Sequence, residues 1–183
     1  LMRRSLNYYH KNIFIKLYEK FLHNFTDIFI CNSNSAREDL IYSEGVPKHK
    51  VKVIFNYIKK NNQIKSKKKI KKDFKILYIA NFYKYKGHYL LLKTLSLIKE
   101  LNWKLYLIGE NRDVSKKELR NYCINLKILK KVKFLTKKNK LLNYPNINLG
   151  VSFSNTESFP NSILEYLSYG LPVMAYRVGD ISL

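Results

Sequence analysis

The chain has 183 residues, with 35 Lys plus Arg against 13 Asp plus Glu and a formal net charge of +22. At 46% apolar and 14% aromatic it carries too much hydrophobic and ring surface for a disordered basic tail, so one folded domain, or pieces of two, is expected. No apolar run approaches the roughly 20 residues that span a bilayer, no secretory apolar stretch opens the chain, and Cys31 and Cys123 are too isolated for a disulfide framework or a zinc site.

From Tyr9 to Phe25 the apolar positions Ile13, Phe14, Leu17, Tyr18, Phe21, Leu22 and Phe25 recur at three- and four-residue spacing. They mark one face of an amphipathic helix, expected to pack on its own sheet in preference to a membrane surface. Ile28 to Cys31 reads as a short strand, and Ser35 with Glu38 has the form of a capping box opening a short helix. Gly45 and Pro47 end that helix, and Val51 to Phe55 reads as a further strand.

Lys59 to Lys72 holds eight lysines in fourteen residues and has no apolar face, which makes it the expected interdomain linker. It divides the chain into 1–58, 59–72 and 73–183. Beyond it, apolar strands alternate with helices. Strands are expected at Phe74–Ala80, Trp103–Gly109, Lys131–Leu135, Ile147–Phe153 and the final VMAYR. Helices are expected from His88 to about Leu101, Ser115 to about Leu129, and Asn161 to Tyr169. Nearly continuous apolar strands spaced by helices predict a Rossmann-like α/β fold, a parallel sheet covered on both faces.

Lys outnumbers Arg by 29 to 6, and Lys, Ile, Asn, Tyr and Phe make up about half of the chain, the skew expected of an A+T-rich coding sequence. Such lysines spread over every exposed face, whereas a nucleic-acid reader concentrates Arg and aromatics on one. Specific nucleic-acid binding is therefore not expected, and the charge is expected to give electrostatic attraction to any polyanion, an anionic membrane surface included.

Ligands of such sheets sit at the carboxyl ends of strands, here the loops after Ala80, Gly109, Leu135 and Phe153. Neither a G-x-G-x-x-G nor a P-loop pattern is present. If a helix begins near Asn161 and Ser162, its first N–H groups and positive dipole end suit a phosphate. Glu165, one turn in, leans back toward that end and can reach a ribose diol. Glu157, on the loop before the helix, can accept hydroxyl hydrogen bonds from a sugar. Lys86, placed by Gly87, can neutralise the diphosphate between them. His10, His23, His49 and His88 share no metal-ligand spacing and read as surface or packing residues.

The Glu157-x7-Glu165 pair inside TESFPNSILEYLSYGLPV, with KYKGH at Lys84–His88 and LYLIGE at Leu105–Glu110, resembles the retaining GT-B glycosyltransferases of family 4, the "glycosyl transferases group 1" enzymes. ICNSNSARE followed by VKVIFNYI is similar to the stretch that closes that family's N-terminal acceptor domain. The resemblance implies that Glu157 contacts the donor sugar as the catalytic carboxylate and Glu165 the ribose. It implies that the backbone near Asn161 and Ser162 holds the distal phosphate, that Lys86 holds the diphosphate, and that Phe134 and Leu135 meet the base through main chain. Asn81 stands where the family carries an Arg, Ser158 where it carries a Gly, and Tyr57 where it carries the Gly of an N-G pair.

The donor implied is a UDP- or GDP-sugar and the acceptor a glycan or a lipid-linked glycan, with no metal or cofactor and a cytoplasmic site, with membrane contact at the inner face of the plasma membrane. A GT-B epimerase and a basic membrane-surface or nucleic-acid module are the alternatives. The chain is expected to hold the end of an acceptor domain, too short to bury a core of its own, followed by most of a donor-binding domain truncated at its C-terminus. Such a piece is expected to bind donor without transferring sugar.

Overall fold

The computed structural model describes residues 1–3, 13–58, 73–135 and 146–182. The expected linker, 59–72, lies outside them. By packing, the chain divides into two units, the first comprising Leu1–Tyr57, Thr156–Pro160 and Arg177–Leu183, and the second Ile58–Asn155 and Asn161–Tyr176.

In the first unit, β1 (Met2–Arg3), β2 (Phe29–Cys31) and β3 (Val51–Val53) form a parallel sheet in that order. Helix α1 (Ile13–His23) precedes β2, and α2 (Asn34–Glu38) follows it, continuing into a π-helical turn at Asp39–Ser43. Phe29, Cys31, Ala36, Leu40, Val46 and Val51 are buried together, so this segment does build a small core, contrary to the expectation from its length. The local reason is that the short α2 and its π-turn drop Ala36 and Leu40 onto β2 and β3.

The expectation that α1 packs its apolar face on the sheet is not met. Phe14 is 76% and Phe25 73% exposed, and Ile13, Leu17, Tyr18 and Phe21 are exposed with them. Strands of two or three residues offer too little apolar surface to cover a stripe of that width. At its C-terminal end α1 is held through His23, whose Nε2 lies 3.3 Å from Glu44 and whose ring meets Phe29 edge-on. The expected capping box is also displaced. Ser33, not Ser35, is the N-cap of α2, its Oγ accepting from the Ala36 N–H at 3.0 Å.

In the second unit, β4 (Phe74–Ile79), β5 (Trp103–Ile108), β6 (Val132–Leu135), β7 (Leu149–Ser152) and β8 (Val173–Ala175) form one parallel sheet in the order β6-β5-β4-β7-β8. Helices α3 (His88–Ser96) and α4 (Lys116–Asn125) contribute Leu91, Leu92, Leu95, Leu119 and Cys123 to one core, against Tyr78, Leu105 and Leu107 of the sheet. Helix α5 (Asn161–Ser168) contributes Tyr166 to the opposite core, with Leu77 and Ile108. The sheet is thus apolar on both faces, which is why its strands read as unbroken hydrophobic runs. Helix α3 ends at Ser96, short of the expected Leu101. Helix α4 opens on a reciprocal capping box between Ser115 and Glu118.

Tyr166 fixes α5 on the sheet. Its hydroxyl accepts the Ile79 N–H at 2.7 Å, and its ring lies over Gly150, where a Cβ would come within 2.5 Å of it. A glycine inside a strand is a mark of such close approach.

Candidate functional site

The strand order reverses between β4 and β7. In an open α/β sheet the crevice outside the carboxyl ends at that point is where ligands bind. The loop after β4 makes its near wall. Lys84–Lys86 form one 3₁₀ turn, closed by Gly87 in the left-handed region at φ +67°. A Cβ on Gly87 would stand 2.1 Å from the Phe153 carbonyl oxygen, so only glycine lets this turn rest against the end of β7. The turn is further pinned by the Asn155 N–H, which donates to the Tyr85 carbonyl at 2.8 Å, and by the Tyr78 hydroxyl, which donates to the Lys86 carbonyl. Lys86 is half-buried, its Nζ 5.0 Å from the Tyr85 ring centre.

Asn81 is built into the rim. Its Oδ1 accepts the Glu110 N–H at 3.2 Å, while the Phe82 N–H donates back to the Glu110 carbonyl and the Lys84 N–H to Asp113. These bonds zip the loop after β5 to the loop after β4. What Asn81 can still offer a ligand is an uncharged amide NH₂, not the fork of an arginine.

His88 lies behind the turn, 2% exposed, its ring against those of Tyr78 and Phe82. Burial lowers its pKa to about 4, opposed by the nearby Ala80 and Tyr83 carbonyls and reinforced by the charge on Lys86. The folded state therefore holds the neutral ring, while the unfolded chain protonates near pH 6.5. Stability from this group is fully present above pH 6.5 and is lost as pH falls toward 4. Between pH 7 and pH 4.5 the loss amounts to about 2–3 kcal/mol. Urea unfolding of His88→Phe is expected to show a difference between those two pH values smaller by that amount, and an unchanged difference would contradict the burial account.

Leu135, Ile108 and Ile79 are aligned by the strand register across the carboxyl ends of β6, β5 and β4. Phe134 is half-buried, edge-on to Phe82 at 6.4 Å, with Lys116 Nζ and Arg120 Cζ each 5.9 Å from its ring centre. Asn161 is exposed and Ser162 half-buried in the first turn of α5, and Glu165, half-buried, follows one turn later. Topology thus brings Asn81, Lys86, Gly87, Phe134, Leu135, Asn161, Ser162 and Glu165 to the carboxyl-end edge of one sheet.

Glu157 belongs to the first unit. There its carbonyl oxygen faces Gly179, at which a Cβ would stand 2.2 Å away, and the next carbonyl, Ser158, accepts the Asp180 N–H at 3.0 Å. Sequence alone does not single out Gly150, Tyr166, Gly179 or Asp180, which the structure places at close backbone approaches and buried hydrogen bonds. A glycine inside an apolar strand was the available signal for the first of them, and no local pattern marked the rest. Among the described residues no group of three or more His, Cys, Asp or Glu could hold a metal ion, and no helix is long and apolar enough to cross a membrane.

The sheet order and its two helical layers define a Rossmann-like parallel α/β fold. The chain belongs to the glycosyl transferases group 1 family, whose model matches residues 59–182. It is 26% identical over 171 residues to the O-antigen biosynthesis glycosyltransferase WbnH of Escherichia coli, an alignment covering 92% of this chain and 47% of that protein. Among solved structures it is similar to HepE of Anabaena in complex with UDP and glucose, with a TM-score of 0.79 at 22% identity over 93% of this chain and 50% of that one. A glycosyltransferase of Rickettsia africae superposes with a TM-score of 0.77 at 18% identity, over 97% and 51% of the two chains. The chain spans about half the length of the curated relatives it matches first.

Proposed function

We propose that this chain supplies the donor-binding half, with the end of the acceptor domain, of a retaining family 4 glycosyltransferase. In this reading the enzyme moves a hexosyl group from a UDP- or GDP-sugar to a glycan or lipid-linked acceptor during surface-polysaccharide assembly, on the cytoplasmic side of the membrane. The observation that carries it is the edge where β4 and β7 part. A lysine-bearing turn closed by Gly87 and the N-terminus of α5 stand at that edge, in a chain of the glycosyl transferases group 1 family.

Lys86 and the first N–H groups of α5 carry the charge of the diphosphate, so no metal ion or cofactor is expected to be required. Glu165 accepts the ribose hydroxyls, and the main chain at Phe134 and Leu135 meets the base. Glu157 addresses the donor sugar; as its bond to the diphosphate breaks, the acceptor hydroxyl oxygen bonds the anomeric carbon and its proton passes to the departing diphosphate. The UDP and glucose seen with HepE and the O-antigen role of WbnH support a nucleotide-sugar donor and a glycan acceptor.

Calorimetry tests the assignment. The chain is expected to bind UDP or GDP, and Glu165→Ala to weaken that binding by about 1.5–3 kcal/mol, tenfold or more, because ribose hydroxyls lose a charged acceptor. Equal affinity for the two proteins would overturn the role given to Glu165.

A further inference from the structure

Asp180 is 5% exposed, and the groups donating to its carboxylate lie about 145 residues earlier in the chain. Its Oδ2 accepts the Asn34 N–H at 2.6 Å, and its Oδ1 accepts the Ser35 N–H at 2.7 Å together with the Ser35 hydroxyl. With Ser33 Oγ on the Ala36 N–H, every N–H of the first turn of α2 that lacks an intrahelical partner is satisfied. A buried carboxylate persists only with such hydrogen bonds, so the grip is obligatory in both directions.

The other side of the same residue pair holds the loop that carries Glu157. The Asp180 N–H donates to the Ser158 carbonyl at 3.0 Å, and Ser158 is itself buried. Gly179, at φ +54°, leaves room for no Cβ, which would meet the Glu157 and Ser158 carbonyl oxygens at 2.2 and 2.5 Å. The backbone that sets the direction of Glu157 therefore rests on Gly179 and Asp180, and Asp180 rests on α2.

We propose that Asp180 is a positioning residue for Glu157, tying the Glu157–Ser158 backbone to the N-terminus of α2. The inference rests on the reading of Glu157 given above. It assigns α2, an element of the chain's N-terminal part, a share in catalysis without contact to substrate.

The test is a double-mutant cycle in an active enzyme that contains this chain. Asp180→Asn keeps one acceptor of two and is expected to lower kcat by roughly 10- to 100-fold, the scale of a misplaced catalytic group, with UDP affinity within about twofold of wild type. In a Glu157→Gln background the same substitution is expected to add less than about threefold, since the group it positions is already gone. Ser35→Ala removes one of the three bonds while keeping the carboxylate. It is expected to lower kcat in the same non-additive way, and it carries the test if Asp180→Asn does not fold. Losses that multiply in full, or an unchanged kcat in the folded variants, overturn the positioning role while leaving that of Glu157 intact. An unchanged kcat for Glu157→Gln alone overturns the reading of Glu157, and this inference with it.

Discussion

Turnover of an active enzyme bearing Glu157→Gln is expected to fall by roughly 100- to 1,000-fold, with UDP affinity held within about twofold. As the bond between the sugar and the diphosphate breaks, positive charge develops on the sugar ring, and a carboxylate interacts with that charge more strongly than with the neutral ground-state sugar. The amide keeps the shape and the hydrogen-bonding oxygen but loses the charge, so the effect belongs in kcat. Nucleotide affinity rests in this account on Lys86, the α5 N-terminus and Glu165, and is left alone. Steady-state kinetics with calorimetry on the same protein separates the two. A loss of UDP affinity with kcat unchanged would show that Glu157 contributes to nucleotide binding alone.

Gly87→Ala is expected to cost about 3 kcal/mol or more, lowering Tm by roughly 6–12 °C, and to abolish most nucleotide affinity. Two effects combine. A residue with a Cβ at φ +67° carries about 1–2 kcal/mol of backbone strain, and the added methyl would stand 2.1 Å from the Phe153 carbonyl oxygen. The obstacle is backbone and cannot swing aside. Relief requires the 84–87 turn to lift from the end of β7, breaking the bond from the Asn155 N–H to Tyr85 and displacing Lys86. Gly170 supplies the control. Its φ of +65° is nearly the same, yet nothing lies within 4 Å of a Cβ there, so Gly170→Ala is expected to cost only the strain. Similar losses in thermal unfolding for the two variants would contradict the steric account of the turn.

The parts of the fold legible in the sequence were those set by local pattern. The apolar runs of β4 to β8 and the helices between them follow from strands buried on both faces. Where the outcome depended on what lay elsewhere, the pattern was insufficient. The stripe of α1 has helical spacing, but whether it is covered depends on the size of its sheet, and β1 to β3 are too short to cover it. Ser35 has capping-box spacing with Glu38, yet its N–H and hydroxyl are taken by Asp180, leaving Ser33 as the cap. The small core of the first unit is not legible because it forms where a five-residue helix carrying Ala36 runs on into a π-helical turn carrying Leu40, which no periodicity announces. Asp180 was illegible for a related reason, since sequence reasoning sees neighbours and its hydrogen-bond donors are at the far end of the chain. His88 was read as surface or packing, and its contacts with Tyr78 and Phe82 make it packing.

The most direct test of the central claim, that the carboxyl-end edge at β4 and β7 binds the diphosphate of a nucleotide sugar, is a titration of the isotope-labelled chain with UDP followed by amide chemical shifts. The account predicts saturable changes concentrated at Lys86, Gly87, Leu135, Ser162 and Glu165. Changes confined to α1 or scattered over the surface lysines, or none at saturating UDP, would contradict it.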